Sequence, residues 1–365
     1  MKILFSLIIF ITPLFAFVEN TTKGYANCMA CHISPNGGGV LTDYGRSLSR
    51  ELSTFEGPQG FEQPFYGLAK NTENLKIGGH FRKLQFNAEN DQVKLSRTFT
   101  MQNNVEFAYK YHKAFLVGTL GTQEGPDDSE GKGEYLSERH YVLIESSDNS
   151  RVRFGKFRQH FGINDPNHTR FVKNNLGFGS CSESYNLEYM HFFEWGEINL
   201  SQSLGNFFDE DEFNSTEKNI AFNYTHYLEG SSRIGFSLLT GKDEDSKRNL
   251  YGLNAVFPIG AKGLGRSEID FEEKADLEST QNQNALYGSH VYGLNMYRGV
   301  FAYLVFEHAQ SNLDEYETLI TSPGLGLQLL PIAHLEVQLE YQKREFHNDL
   351  GNVQDRFFAV MHLYH

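Results

Sequence analysis

Long apolar runs are missing from most of this 365-residue chain. Past the first sixteen or so residues no stretch of about eighteen apolar residues occurs, which excludes a membrane helix there. A β-barrel stays open, because barrel strands are only half apolar. Proline (9) and tryptophan (1) are scarce against 31 Phe, 19 Tyr and 34 Gly, an aromatic, glycine-rich and β-favouring composition. Positive charge is short as well: 32 Lys and Arg face 46 Asp and Glu, a net charge of -14. That balance argues against a nucleic-acid partner and against a basic membrane-surface patch. Cysteine is rarest of the chemically useful residues, with 3 in all.

The opening residues read as a secretory signal over 1–16: a basic Lys2, an apolar stretch from Ile3 to Phe15 interrupted by Pro13, and a small residue for cleavage at Ala16. Leu14 departs from the usual small residue two places earlier. No cysteine follows closely enough for a lipid anchor.

Two of the cysteines lie in Cys28-Met29-Ala30-Cys31-His32, directly after that signal. A Cys-x-x-Cys pair serves thioredoxin-like redox chemistry or half of a zinc site. The first wants a surrounding βαβ pattern and the second another ligand pair, and neither stands nearby. Cys-x-x-Cys-His is the attachment signature of c-type haem: two thiols about one turn apart add to the vinyl groups of one porphyrin edge, and the imidazole turns under the ring to the iron. The expectation is one covalent haem c, attached at Cys28 and Cys31, with His32 as proximal ligand.

Residues 17–74 form the expected haem segment. Gly37-Gly38-Gly39 lack Cβ atoms and permit positive φ, so backbone can lie flat against a planar group. Thr42 caps a short helix to about Ser53, with Tyr44, Leu48 and Leu52 on one face. Arg46 and Arg50 suit haem propionates, although solvated arginines are the usual outcome for such positions. So few apolar residues cannot wrap a porphyrin alone, and the haem must borrow its walls. The distal ligand is open: His80, Met101, His160, His168 and Met190 are unranked candidates.

Residues 75–365 alternate. From Val93 to Tyr109 the odd positions are mostly apolar and the even ones almost wholly polar, and Leu335 to Gln342 alternate likewise. Phe301 to Phe306 is apolar on both faces. About sixteen strands result, with short turns after even-numbered strands (His112-Lys113, Ser147 to Ser150, Trp195-Gly196, Glu229-Gly230). Longer polar loops follow most odd ones (Gln123 to Gly133, Gln159 to Glu183, Gly205 to Glu217, Glu273 to Leu286). Short turns on one rim, long loops on the other and an even strand number describe an outer-membrane antiparallel barrel, porin-like, against the alternative of a secreted sandwich. In that setting the termini and haem segment lie on the periplasmic side, and Phe192, Trp195, Phe257, Tyr292 and Tyr297 suit interfacial girdles. The final strand ends on His365, one residue past the aromatic Tyr364.

The longest loop, 159–183, holds His160, Asp165, His168, Arg170, Lys173 and Cys181, and loops of that length are usually functional or disordered. Folded into the lumen it would meet the haem or narrow the pore; Cys181 reads as a buried small residue or adventitious thiol. The acidic clusters Asp209-Glu210-Asp211-Glu212 and Asp243-Glu244-Asp245 read as solvated loop charge, with attraction of cations such as ferrous iron as the sharper alternative.

The order of signal, Cys28-Met29-Ala30-Cys31-His32, short linker and sixteen-strand barrel resembles the fused monohaem cytochrome-porin proteins of Gram-negative outer membranes, which include iron-oxidising members. Gly155-Lys156-Phe157-Arg158 to Gly177-Phe178-Gly179 is similar to a segment of haem-tagged barrels without an assigned substrate. The resemblance implies thioether attachment at Cys28 and Cys31, ligation by His32, and electron transfer from an extracellular donor such as Fe(II) to periplasmic c-type cytochromes, with outer-membrane lipid around the barrel. Two other readings stand beside it: a passive porin with a structural or sensory haem plug, and the sheath of a larger multihaem conduit.

Overall fold

The computed structural model describes residues 28–122, 135–179, 182–205, 217–278, 282–348 and 352–365. The expected signal peptide, Cys181 and the cluster at 209–212 lie outside the described residues. Sixteen antiparallel strands close into one barrel, counting Tyr135–Leu136 and His140–Ser147 as a single strand because both pair with Ala114–Thr122. Closure joins Leu75–Glu89 to Val353–Tyr364, from His80 opposite Tyr364 to Glu89 opposite Asp355. Among the described residues no strand is left at an open edge, which is how a sheet satisfies its backbone in a bilayer.

The barrel is inside out relative to a soluble sandwich. Along Lys94–Tyr111, Val105, Phe107 and Tyr109 are 54, 41 and 45 % exposed while Asn104, Glu106 and Ala108 between them are buried. Leu187 and Tyr189 likewise face out, with Asn186 and Glu188 within. An outer apolar belt over a polar interior is the arrangement that lipid selects. Trp195, Tyr292 and Tyr297 stand in that outer surface as expected, but Phe192 does not: at 7 % exposure it is covered, its parity being that of the lumen side.

Two further expectations need correction. The alternation from Val93 to Tyr109 does not keep one face throughout. Gln102 lies opposite Arg82 and Thr100 opposite Lys83, so Met101 is an extra, unpaired residue. Such a bulge reverses the faces beyond it, and Lys94, Ser96 and Thr98 are the exposed set there. Second, the span Glu273 to Leu286 is mostly strand. Gly263–Asp276 and Asn282–Tyr297 run as a paired ladder to Ala275 opposite Asn282. Strands that project past the bilayer meet water on both faces, so their alternation fades and they read as loop.

Two inserts occupy the lumen. One is residues 28–72, anchored at the short-turn rim: Thr54 and Phe55 donate their N–H groups to the Leu330 and Pro331 carbonyls at 2.8 and 3.0 Å, and the Tyr66 hydroxyl donates to the Ala333 carbonyl at 3.0 Å. Within it helix α1 (Asp43–Leu52) buries Leu48 and Leu52 against Leu330. Each fully buried leucine contributes about 1.5–3 kcal/mol. The other insert is the long loop between the strands Ser150–Arg158 and Glu183–Phe193. Its Phe161, Phe171, Val172, Leu176 and Phe178 form a core with wall residues such as Leu239, Leu250 and Tyr287. Ile163 packs on Phe301, Tyr303 and Val305, which explains why Phe301 to Phe306 is apolar on both faces: one side meets lipid and the other this loop.

Candidate functional site

Cys28–Ala30 is a single tight turn, with the Cys31 and His32 N–H groups both donating to the Cys28 carbonyl at 3.2 and 3.0 Å. The chain then loops out and returns, so that His32 bridges Leu41 and the Thr42 N–H reaches the Cys31 carbonyl at 2.9 Å. The loop closes through Gly37, Gly38 and Gly39, at φ +79°, +70° and +67°. Only glycine takes three left-handed positions in succession cheaply. At Gly37 a Cβ would stand 3.3 Å from the Cys28 sulfur. Backbone therefore curls directly around the first thiol.

Thr42 begins α1, its Oγ1 accepting from the Gly45 N–H at 3.0 Å and donating to the Ala30 carbonyl at 2.8 Å. The buried face differs from the expected one. Tyr44 is 48 % exposed, and Gly45, Leu48, Ser49 and Leu52 face inward. Gly45 sets that rotation, because its backbone lies on the motif: a Cβ there would run into the Cys31 carbonyl and stand 2.9 Å from the Cys31 Cα. Gly45→Ala is therefore expected to push the helix off Cys31 at a cost of about 1–3 kcal/mol, the range for overpacking. Faster limited proteolysis of residues 28–72 in the folded barrel would register it, and unchanged protection would count against this packing.

The barrel supplies the walls. Val40 and Ile33 pack against Ala108, Val117, Tyr141, Leu143 and Phe157. Asn36 Nδ2 donates to Glu188 Oε2 at 3.1 Å, and Arg153, paired with Glu188 at 2.7 Å, donates to Ser34 Oγ at 3.2 Å. The long loop touches the motif's loop too, through Asn164 Nδ2 donating to the Asn36 carbonyl. Cys28 and Cys31 are unbonded thiols. Burial pushes both up to about 11, so neither is the activated thiolate of an exchange motif. Among the described residues no group of three or more His, Cys, Asp and Glu side chains gathers as a metal site. Burial, and then the charge of His80, hold the His32 imidazole down at about 4, so it is neutral at ordinary pH. Its Nδ1 is buried without a partner.

The other sequence candidates scatter. His80 faces inward beside Glu106, which pairs with Arg139; Gly39, at the end of the glycine run, lies against the same Glu106 and Arg139. Met101, turned inward at its bulge, and His168 line a small cleft of about 60 Å³, together with Arg82, Glu336, Phe358 and His362. That is well below the usual range of small-molecule sites, about 300–1,000 Å³. His160 is held by its carbonyl to Asn223 at 2.8 Å, and Met190 is buried on the wall. Arg46 is not solvated: it is 3 % exposed, donates to the Ile77 carbonyl, and keeps Nε and Nη1 buried without partners. Arg50 is spent on the Glu56 and Gly57 carbonyls at 3.0 and 3.4 Å.

Glu106, Arg139, Arg82 and His362 were not foreseen as site residues. Strand parity carries the signal for Glu106, since from buried Asn104 each even residue toward the short-turn rim faces the lumen; Arg139 lies just before the strand His140–Ser147, and Arg82 and His362 are opposite each other beside the bulge, where register decides.

No protein-family model and no curated protein matches this chain. Among solved structures it is similar to OmpT, an outer-membrane protein of Vibrio cholerae, with a TM-score of 0.61 at 12 % identity over 81 % of this chain and 99 % of the other. It is also similar to an anion-selective porin from Comamonas acidovorans (TM-score 0.58, 10 % identity, 80 % and 99 % covered). The outer-membrane channel DcaP of Acinetobacter baumannii gives a TM-score of 0.56 at 10 % identity, with 81 % and 99 % covered. The fold is thus that of the porin-like barrels.

Proposed function

We propose that this chain is an outer-membrane electron carrier: one haem c, attached through Cys28 and Cys31 and ligated by His32, is held inside the barrel and passes electrons between an extracellular donor such as Fe(II) and periplasmic c-type cytochromes. The observation that carries this reading is the position of the motif, which lies within the lumen with barrel side chains for walls, as a haem segment too small to wrap its own porphyrin requires. The residues fit the group. Two free thiols sit one turn apart beside a buried His32, and the glycine run leaves no Cβ beside Cys28. Arg46 keeps unpartnered donors for a propionate. When bound, the haem supplies a one-electron centre inside an apolar band about 25 Å tall that electrons otherwise cannot cross. The chain's part is to place that centre, exclude bulk water and set the polarity around it.

The likeness to channels favours a second reading, solute passage with the haem segment as a plug. One comparison separates them. Outer-membrane fractions from a host with cytochrome c maturation are run on a denaturing gel and stained for haem, for the wild type and Cys31→Ala. Haem staining in the wild type and its loss in the variant is the expected result, followed by reduction of the haem by Fe(II) in proteoliposomes. An unstained wild-type band overturns the reading and leaves a plain barrel with a thiol pair.

A further inference from the structure

Resting on that reading, we propose that His80 is the sixth ligand of the haem iron, completing an axial pair with His32. Four observations converge on it. His80 projects inward from Leu75–Glu89, and its Nε2 is buried with no hydrogen-bond partner, 3.6 Å from Glu106 Oε2. Its Nδ1 is held at 2.9 Å by His362 Nε2, while His362 Nδ1 lies 3.1 Å from Glu336 Oε2 and Gln328 donates to the other Glu336 oxygen at 2.7 Å. A histidine fixed through one nitrogen by a chain that ends on a carboxylate is the outer-shell arrangement that orients ligating imidazoles, and iron at Nε2 would take the place of its contact with Glu106.

The third observation is shared surroundings. The Glu106 and Arg139 pair that flanks His80 also lies against Gly39, the residue closing the His32 loop. The fourth is elimination among neighbours. His168 lines the cleft with Met101 and Phe358, and His160, in the long loop, is tied by its carbonyl to Asn223 on the barrel wall. His362 has both nitrogens engaged. Met101 is the bulge residue itself and lines the cleft with His168.

Two imidazoles on one iron give a low-spin centre closed to outside ligands, unlike the five-coordinate iron that a gas-sensing plug needs. The test uses the full holoprotein, purified in detergent, with optical and EPR spectra and carbon monoxide as probe. The wild type is expected to be low-spin in both redox states and to ignore carbon monoxide. His80→Ala is expected to turn high-spin and bind it, with haem staining retained. His80→Met is expected to show the sulfur-to-iron band of methionine ligation, which a loss of packing alone would not produce, whereas Met101→Leu leaves the spectrum unchanged. A high-spin wild type, or a bis-imidazole spectrum that survives in both His80 variants, overturns the assignment while the covalent haem still stands. A wild type without covalent haem overturns the proposed function and this assignment together.

Discussion

Replacing Arg170 by methionine is expected to destabilise the folded barrel by about 3–5 kcal/mol, the range for removing one partner of a buried ion pair. Arg170 is 1 % exposed and joins two wall strands: Nη1 and Nη2 meet the Glu340 oxygens at 2.9 and 2.7 Å, and Nη1 reaches Glu307 Oε2 at 3.2 Å. Both carboxylates carry further bonds, Tyr303 to Glu340 at 2.7 Å and Gln342 to Glu307 at 2.7 Å. The loop backbone adds the Phe171 N–H to Glu307 Oε1 at 2.9 Å. Without the guanidinium two buried carboxylates face each other across the same space, and methionine offers them nothing. The loss should appear as a lower urea midpoint for the gel shift between folded and unfolded barrel. Adding Glu307→Gln and Glu340→Gln to Arg170→Met should restore most of it, since the repelling charges are then gone. A midpoint that stays at the wild-type value would mean that water or ions already share this site.

How much of this was legible in the chain depends on what each residue answers to. The barrel was readable because lipid and lumen impose a period of two, and Val105, Phe107 and Tyr109 obey it. It failed at Met101, where one inserted residue swaps the faces without changing the composition, and at Glu273 to Asp276, which lie where no apolar face is required. The motif at Cys28 to His32 was readable as a spacing, and the structure folds it as one tight turn. The proposed ligand His80 was visible only as one histidine among several, since its choice rests on register: Leu75–Glu89 has to pair with Val353–Tyr364 before His80 and His362 meet. Arg46 was misjudged for the same reason. An arginine on a short helix reads as solvated until the first strand is laid against it.

The two inserts divide the barrel between them, and that division predicts its permeability. The long loop holds the wall from Gly196–Ser203, through Gln159 on Ser201 at 2.9 Å, round to Leu335–Phe346, through Arg170 on Glu340. Between these, Lys173 binds Glu268 at 2.8 Å, Asp165 pairs with Arg266 at 3.1 Å, and Arg248 caps the Leu176 carbonyl at 3.0 Å. The segment 28–72 holds the remaining arc, through Val40 on Tyr141 and Leu143 and Asn36 on Glu188. A sixteen-stranded barrel with an empty interior leaves an aqueous channel; here both halves of the interior are claimed. In planar bilayers the wild type is expected to show conductance close to the bare membrane. Replacing residues 161–178 by a short Gly/Ser turn should open steady channels, because it removes the apolar core on Leu239, Leu250 and Tyr287 and leaves Glu268, Glu307 and Glu340 lining water. Those channels should prefer cations, given the carboxylates exposed. Porin-sized conductance in the wild type would show instead that the inserts leave the lumen readily, and would favour solute passage over electron transfer as the work of this barrel.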